Sequence, residues 1–125
     1  MTALRIMVVD DSNITTKKLG KMLEELGHDV VHTANTGSQA VDDYASVKPD
    51  LVTMDITMPD MDGIEATKRI LAQDKDALIV MITSHGQEQM VIEAIEAGAK
   101  GYVLKPVNKE KLGEHLNQII ARYRS

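Results

Sequence analysis

A few polar residues stand directly behind short apolar runs, and their types point to one chemistry. Asp10 and Asp11 follow Leu4–Val9, Asp55 follows Leu51–Met54, Thr83 and Ser84 follow Leu78–Ile82, and Lys105, itself followed by Pro106, comes after Tyr102–Leu104. Singly, each has an ordinary use: Asp11 or Ser12 as a helix cap, Asp55 in a turn, Thr83 as a cap, Lys105 as a solvated charge. Jointly they are three carboxylates, a hydroxyl and an ammonium. Two unit charges about 4 Å apart repel by about 4 kcal/mol at an effective dielectric of about 20, so three gathered carboxylates call for a cation. The ligands would be hard oxygens, with no His or Cys at metal spacing, which favours Mg2+ or Mn2+ over zinc.

A divalent cation on carboxylates, with a Lys and a hydroxyl aimed at the same spot, suits phosphoryl transfer, where charge must be neutralised and groups positioned. The chain has no G-x-x-x-x-G-K-[ST] loop to hold a nucleotide, so the phosphoryl group would come from a smaller donor or from another protein. Asp55 is the natural nucleophile, since a carboxylate can form an acyl phosphate.

Such residues act together only if the fold gathers them. Leu4–Val9, Asp29–Thr33, Leu51–Met54, Leu78–Ile82 and Tyr102–Leu104 are of strand length and rich in Val, Ile, Leu and Met. Between them lie helical stripes: Leu19, Met22, Leu23 and Leu26; Val91, Ala94, Ile95 and Gly98; Leu112, Leu116, Ile119, Ile120 and Tyr123. Gly27 and Gly98 stand where a left-handed helix end is wanted, and Asn108 precedes the last helix as a cap. The pattern is five β–α repeats. The first, third and fourth runs are apolar almost continuously, as in a parallel sheet covered on both faces. The expected fold is therefore α/β, a doubly wound five-stranded parallel sheet with helices on both faces. In such sheets ligands bind at the carboxyl ends of the strands, where all the singled-out residues fall.

Composition removes other function classes. The 125 residues suit one domain, 1–125, without an attached output domain. Lys and Arg total 14 against 19 Asp and Glu, a net charge of −5, the wrong sign for gripping nucleic acid. With no Cys, disulfides, thiolate metal sites and a cysteine nucleophile are excluded. Leu4–Val9 is interrupted by Arg5 and runs into two acids, unlike a signal peptide or membrane span, so a cytoplasmic protein without membrane contact is expected. Phe and Trp are absent, which speaks against a flavodoxin-like cofactor site built on aromatic platforms.

The residues resemble the receiver domain of two-component response regulators, in particular the chemotaxis CheY type. The matching stretches are Asp10-Asp11-Ser12, Ala34-Asn35-Thr36-Gly37, Asp55-Ile56-Thr57-Met58-Pro59 with Gly63, Thr83-Ser84, Ala97-Gly98-Ala99 and Lys105-Pro106, in order along the whole chain. The resemblance implies the flavodoxin-like strand order 2-1-3-4-5. It makes Asp55 the acceptor of a phosphoryl group from a phosphohistidine on a CheA-like sensor histidine kinase. It has Mg2+ bound by Asp11, Asp55 and the Thr57 backbone carbonyl, with Asp10 acting through water. Lys105 would neutralise the phosphoryl oxygens, with its bond to Pro106 cis, and Thr83 and Tyr102 would form the switch pair. Thr57 and His85 would tune loss of the phosphoryl group, to water or with a phosphatase. The face of the fourth helix, fifth strand and fifth helix, including Val91, Ile95 and Tyr102, would bind a downstream protein such as a flagellar motor switch protein. A monomer acting by protein binding is implied. A phosphorelay step to a histidine phosphotransfer domain is the alternative, and an Asp-nucleophile phosphohydrolase a weaker one. The chain departs from the family pattern in offering Thr15, Thr16, Lys17 and Lys18 where an Arg is frequent, and Val107 where Phe is frequent.

Overall fold

Burial on both faces decides which apolar runs become central strands. The computed structural model describes residues 3–124. Its elements are β1 (Arg5–Val9), α1 (Asn13–Glu25), β2 (Asp29–Ala34), α2 (Gly37–Val47), β3 (Leu51–Met54), α3 (Gly63–Gln73), β4 (Ile79–Thr83), α4 (Glu88–Glu96), β5 (Gly101–Leu104) and α5 (Lys109–Tyr123). All strands pair in parallel in the order β2-β1-β3-β4-β5. The continuously apolar runs are the three inner strands, buried almost throughout, whereas β2 and β5 sit at the edges and are partly exposed. β2 extends one residue past the expected end, and β4 starts and ends one residue later than expected. The register explains the second shift, because Thr83 pairs with Leu104 and so belongs to the strand.

Alternation along each strand sends side chains to two separate cores. Ile6, Val8, Val80 and Val103 meet Leu19 and Leu23 of α1 and Leu112, Leu116 and Ile119 of α5. Met7, Val52, Met54 and Met81 meet Ala40 of α2, Ala66 and Ile70 of α3, and Ala94 of α4 on the opposite face. The doubly wound sandwich is thus as expected, with α1 and α5 on one side and α2, α3 and α4 on the other.

Helix ends follow the cap residues. Ser12, Thr36, Asp62 and Asn108 each accept the backbone N–H three positions on, at the starts of α1, α2, α3 and α5, while Gln87 gives α4 no side-chain cap. Gly98 takes a φ of 112° after α4, and a Cβ there would also lie 2.4 Å from Leu71 Cδ1, so only glycine fits. Two stripe residues depart from expectation, Ile95 and Tyr123, at 48 % and 41 % exposed. The Tyr123 ring has Lys100 and Arg122 beside it, each 5.5 Å from its centre.

Candidate functional site

Parallel strands deliver their last residues to one edge, and there the acids, the hydroxyl and the lysine meet. β1 ends at Val9, and the Asp10 N–H, 3.0 Å from the Ala34 carbonyl, keeps the chain beside β2. Asp10 is buried, with Oδ1 accepting the Ser12 N–H at 2.9 Å and Oδ2 only 2.7 Å from Lys105 Nζ. Asp11 is exposed, and its carboxylate takes no hydrogen bond among the described residues. Asp55 directly follows β3. Its N–H donates to the Val9 carbonyl at 2.9 Å, its Oδ1 accepts the Ile56 N–H at 2.8 Å, and its Oδ2 lies 3.5 Å from Lys105 Nζ. One carboxylate oxygen from each of Asp10, Asp11 and Asp55 falls within 4.8 Å of the others.

The loop after β3 is held against Asp55 by glycine. The Gly63 N–H donates to the Ile56 carbonyl at 2.7 Å, and a Cβ at Gly63 would lie 2.0 Å from the Asp55 carbonyl oxygen. No other residue permits that approach. On the far side, the Lys105 N–H donates to the Thr83 carbonyl at 2.9 Å and the Lys105–Pro106 bond is cis. Thr83 is fully buried.

Burial pushes the Asp55 carboxyl above its usual range; the Lys105 ammonium opposes that, nearby Asp10 adds to it, and the Ile56 N–H and Thr83 hydroxyl favour the charged form. One lysine stands against three carboxylates there.

A second group surrounds the mouth of the site. The Thr57 hydroxyl and His85 Nε2 are 2.5 Å apart, the Tyr102 hydroxyl donates to the His85 backbone carbonyl at 2.5 Å, and the His85 N–H reaches the Thr83 hydroxyl at 3.4 Å. His85 is thus joined to Thr57, Thr83 and Tyr102. Val91 and Ile95 of α4 lie apart from the acids; Ile95 is 48 % exposed and Val91 half-buried. Two residues with the same surface character escape sequence reasoning: Ile92 on α4 and Leu104 at the end of β5, 42 % and 51 % exposed. Both read as core by type, and their exposure follows from β5 being an edge strand and α4 resting on little. Asn35, whose amide reaches the β1–α1 loop, also had no assigned role; a lone amide after a strand carries no distinctive signal.

The donor set fits a hard divalent cation. It consists of carboxylates, one of them without a protein partner, set closely around a net negative pocket.

A doubly wound parallel sheet with acids and a lysine at its carboxyl edge defines a class, and comparison with known proteins identifies it. The response regulator receiver domain family matches residues 6–117, and the chain belongs to that family. It is 45% identical over 118 residues to chemotaxis protein CheY of Bacillus subtilis, covering 94% of this chain and 98% of that protein. It is 43% identical over 115 residues to CheY of Thermotoga maritima, covering 92% and 96%. The fold superimposes on the CheX-CheY complex with BeF3 and Mg2+ from Borrelia burgdorferi with a TM-score of 0.90, at 36% identity and covering 93% of this chain and 88% of that one. The chain is a CheY-like receiver domain of the two-component signalling type.

Proposed function

We propose that this receiver takes a phosphoryl group onto Asp55 from a phosphohistidine of a sensor kinase and answers by changing the face it offers to a downstream protein. The observation that carries this is the convergence of Asp10, Asp11 and Asp55 oxygens within 4.8 Å, with Lys105 Nζ on two of the three. As the Asp55 Oδ2–P bond forms, the P–N bond to the donor imidazole breaks and the imidazole departs. Lys105 turns from the carboxylates to the incoming phosphoryl oxygens, and the Thr83 hydroxyl donates to one of them. Asp11, Asp55 and the Thr57 backbone carbonyl would hold Mg2+. Asp10, whose Oδ1 accepts the Ser12 N–H, would act on the cation through water. When bound, the cation supplies the positive charge that the transferring group requires.

The readout would run through the group around His85. Drawing the Thr83 hydroxyl toward the phosphoryl group removes an acceptor from the His85 N–H, and the Tyr102 hydroxyl is tied to the same residue. The surface that would register this carries Ile92, Ile95, Tyr102 and Leu104 beside Val91, an apolar set suited to a protein partner such as a flagellar motor switch protein. The added charge of about −1.5 to −2 supplies the differential contact that shifts the population.

Replacing Asp55 by Asn or Ala is expected to abolish labelling by a phosphorylated kinase or acetyl phosphate. Acid-stable, hydroxylamine-sensitive label retained by both variants would overturn the assignment. Sustained multiple-turnover hydrolysis of an aryl phosphate would instead favour a phosphohydrolase. Stronger capture of a motor switch protein with beryllofluoride than without it, lost in Ile95→Ala, would support the assigned face; transfer of label to a histidine phosphotransfer domain would favour a relay.

A further inference from the structure

We infer that Asn35 is a positioning residue for the cation site, holding the loop that carries Asp11 in its binding geometry; this rests on the reading of the acidic cluster given above. Two of the three acids lie on the β1–α1 connection, which is only Asp10, Asp11 and Ser12 long. Asp10 is anchored through both carboxylate oxygens. Asp11 is not: its side chain is exposed and unpartnered among the described residues, so only its backbone restricts where the carboxylate can reach. Repulsion from Asp10 and Asp55 acts to drive it outward.

What holds that backbone comes from the loop just after the neighbouring strand. Asn35 Nδ2 donates at 3.0 Å to the Asp10 carbonyl and at 3.0 Å to Asn13 Oδ1. The Asp10 carbonyl belongs to the peptide unit joining Asp10 to Asp11, so fixing it fixes the plane from which the Asp11 side chain departs. Asn13 is the first residue of α1, so one amide ties both ends of the loop. The amide's orientation is settled by chemistry, since a carbonyl can only accept and the nitrogen must face it. Asn35 is itself held: its backbone N–H donates to Gln39 Oε1 at 3.2 Å, and the Ala34 carbonyl just before it accepts the Asp10 N–H at 3.0 Å. The support therefore reaches the loop from a residue 25 positions beyond Asp10 and 22 beyond Asn13.

Residues that orient metal ligands from outside the ligand set typically carry about 10–100-fold in metal affinity. Asn35 acts on the backbone of a ligand, so the lower end, about 10-fold, is expected. The test is calorimetric titration of MgCl2 into wild type, Asn35→Ala, Asn13→Ala, the double variant and Thr36→Ala, alongside thermal unfolding without Mg2+. Asn35→Ala should weaken Mg2+ binding about 10-fold with little change in the metal-free midpoint, and adding Asn13→Ala should cost less than it does alone. Thr36→Ala removes the α2 cap in the same loop and should lower the midpoint while leaving Mg2+ affinity near wild type. Unchanged affinity in Asn35→Ala, or an equal loss in Thr36→Ala, would overturn the positioning role alone. A wild-type protein that binds no Mg2+ would overturn the reading of the cluster as well.

Discussion

The two faces of the sheet are built from different side chains. Under α1 and α5 the buried cluster is leucine, isoleucine and valine, with neither methionine nor alanine. Under α2, α3 and α4 it is dominated by alanine and methionine, with no fully buried leucine. Branched aliphatic side chains interdigitate in few rotamers, whereas alanine brings backbones close without locking them and methionine refills the space when a neighbour moves. The helices differ accordingly. α5 is anchored by Leu112, Leu116 and Ile119 and capped by Asn108; α4 buries only Ala94 and has no side-chain cap. Tyr102 packs on the alanine and methionine side. The side chain proposed as a switch thus lies on the face richer in methionine and alanine.

The largest test of this contrast is a pair of core substitutions. Leu116→Ala, at a fully buried site on the aliphatic face, should lower stability by about 2–5 kcal/mol in denaturant unfolding. Met81→Ala, equally buried on the other face, should fall nearer the lower end of that range, because neighbouring methionines refill the space. Equal losses would mean the two faces are equally rigid. Next in size is Thr53, in the middle of β3, on the same side of the strand as Leu51. Its buried hydroxyl finds no hydrogen-bond partner among the described residues, a flaw in an otherwise apolar wall. Thr53→Val should therefore stabilise the protein, by up to the ~1–3 kcal/mol that an unmet buried polar group costs. A loss of stability would show that the hydroxyl is satisfied in solution.

The smallest effect lies at the lower end of the aliphatic face. His28 is buried in the turn between α1 and β2, and its Nδ1 accepts the Leu4 N–H at 3.0 Å, which requires that nitrogen to be unprotonated. Burial lowers its pKa below the ordinary 6.5, with Asp29 partly opposing. Below about pH 6.5 the unfolded chain then binds more protons than the folded one, so this contribution to stability is intact above that pH and is lost as the pH falls through the folded value. Unfolding midpoints should decline on acidification from pH 7 toward 5, and less steeply in His28→Gln. Identical slopes would remove His28 from the account.

The fold was legible in the sequence because each element depends on near neighbours. Continuous apolar runs in β1, β3 and β4 pointed to a parallel sheet covered on both faces, and Gly27, Gly98 and Asn108 closed or opened helices where expected, with φ values of 92° and 112° at the two glycines. Tyr123 misled because helical spacing says which residues share a face and not how far the core extends beneath it. The gathering of these residues was legible too: in a parallel sheet, residues that follow strands must share an edge, which brings Asp10, Asp11, Asp55, Thr83 and Lys105 together.

Which atoms touch was a different matter. Lys105 and Asp10 are 95 residues apart, and nothing local indicates that the ammonium rests 2.7 Å from Asp10 and 3.5 Å from Asp55. The upward shift of the Asp55 carboxyl, the link from Thr57 through His85 to Tyr102, and the Asn35 amide across the β1–α1 loop likewise arise from strands brought side by side. Side-chain type and periodicity, properties of the chain itself, determined the elements and the edge where the chemistry gathers. Distance and burial exist only once the sheet has closed its register, and so the partners and the electrostatics of that edge were decided by the tertiary structure.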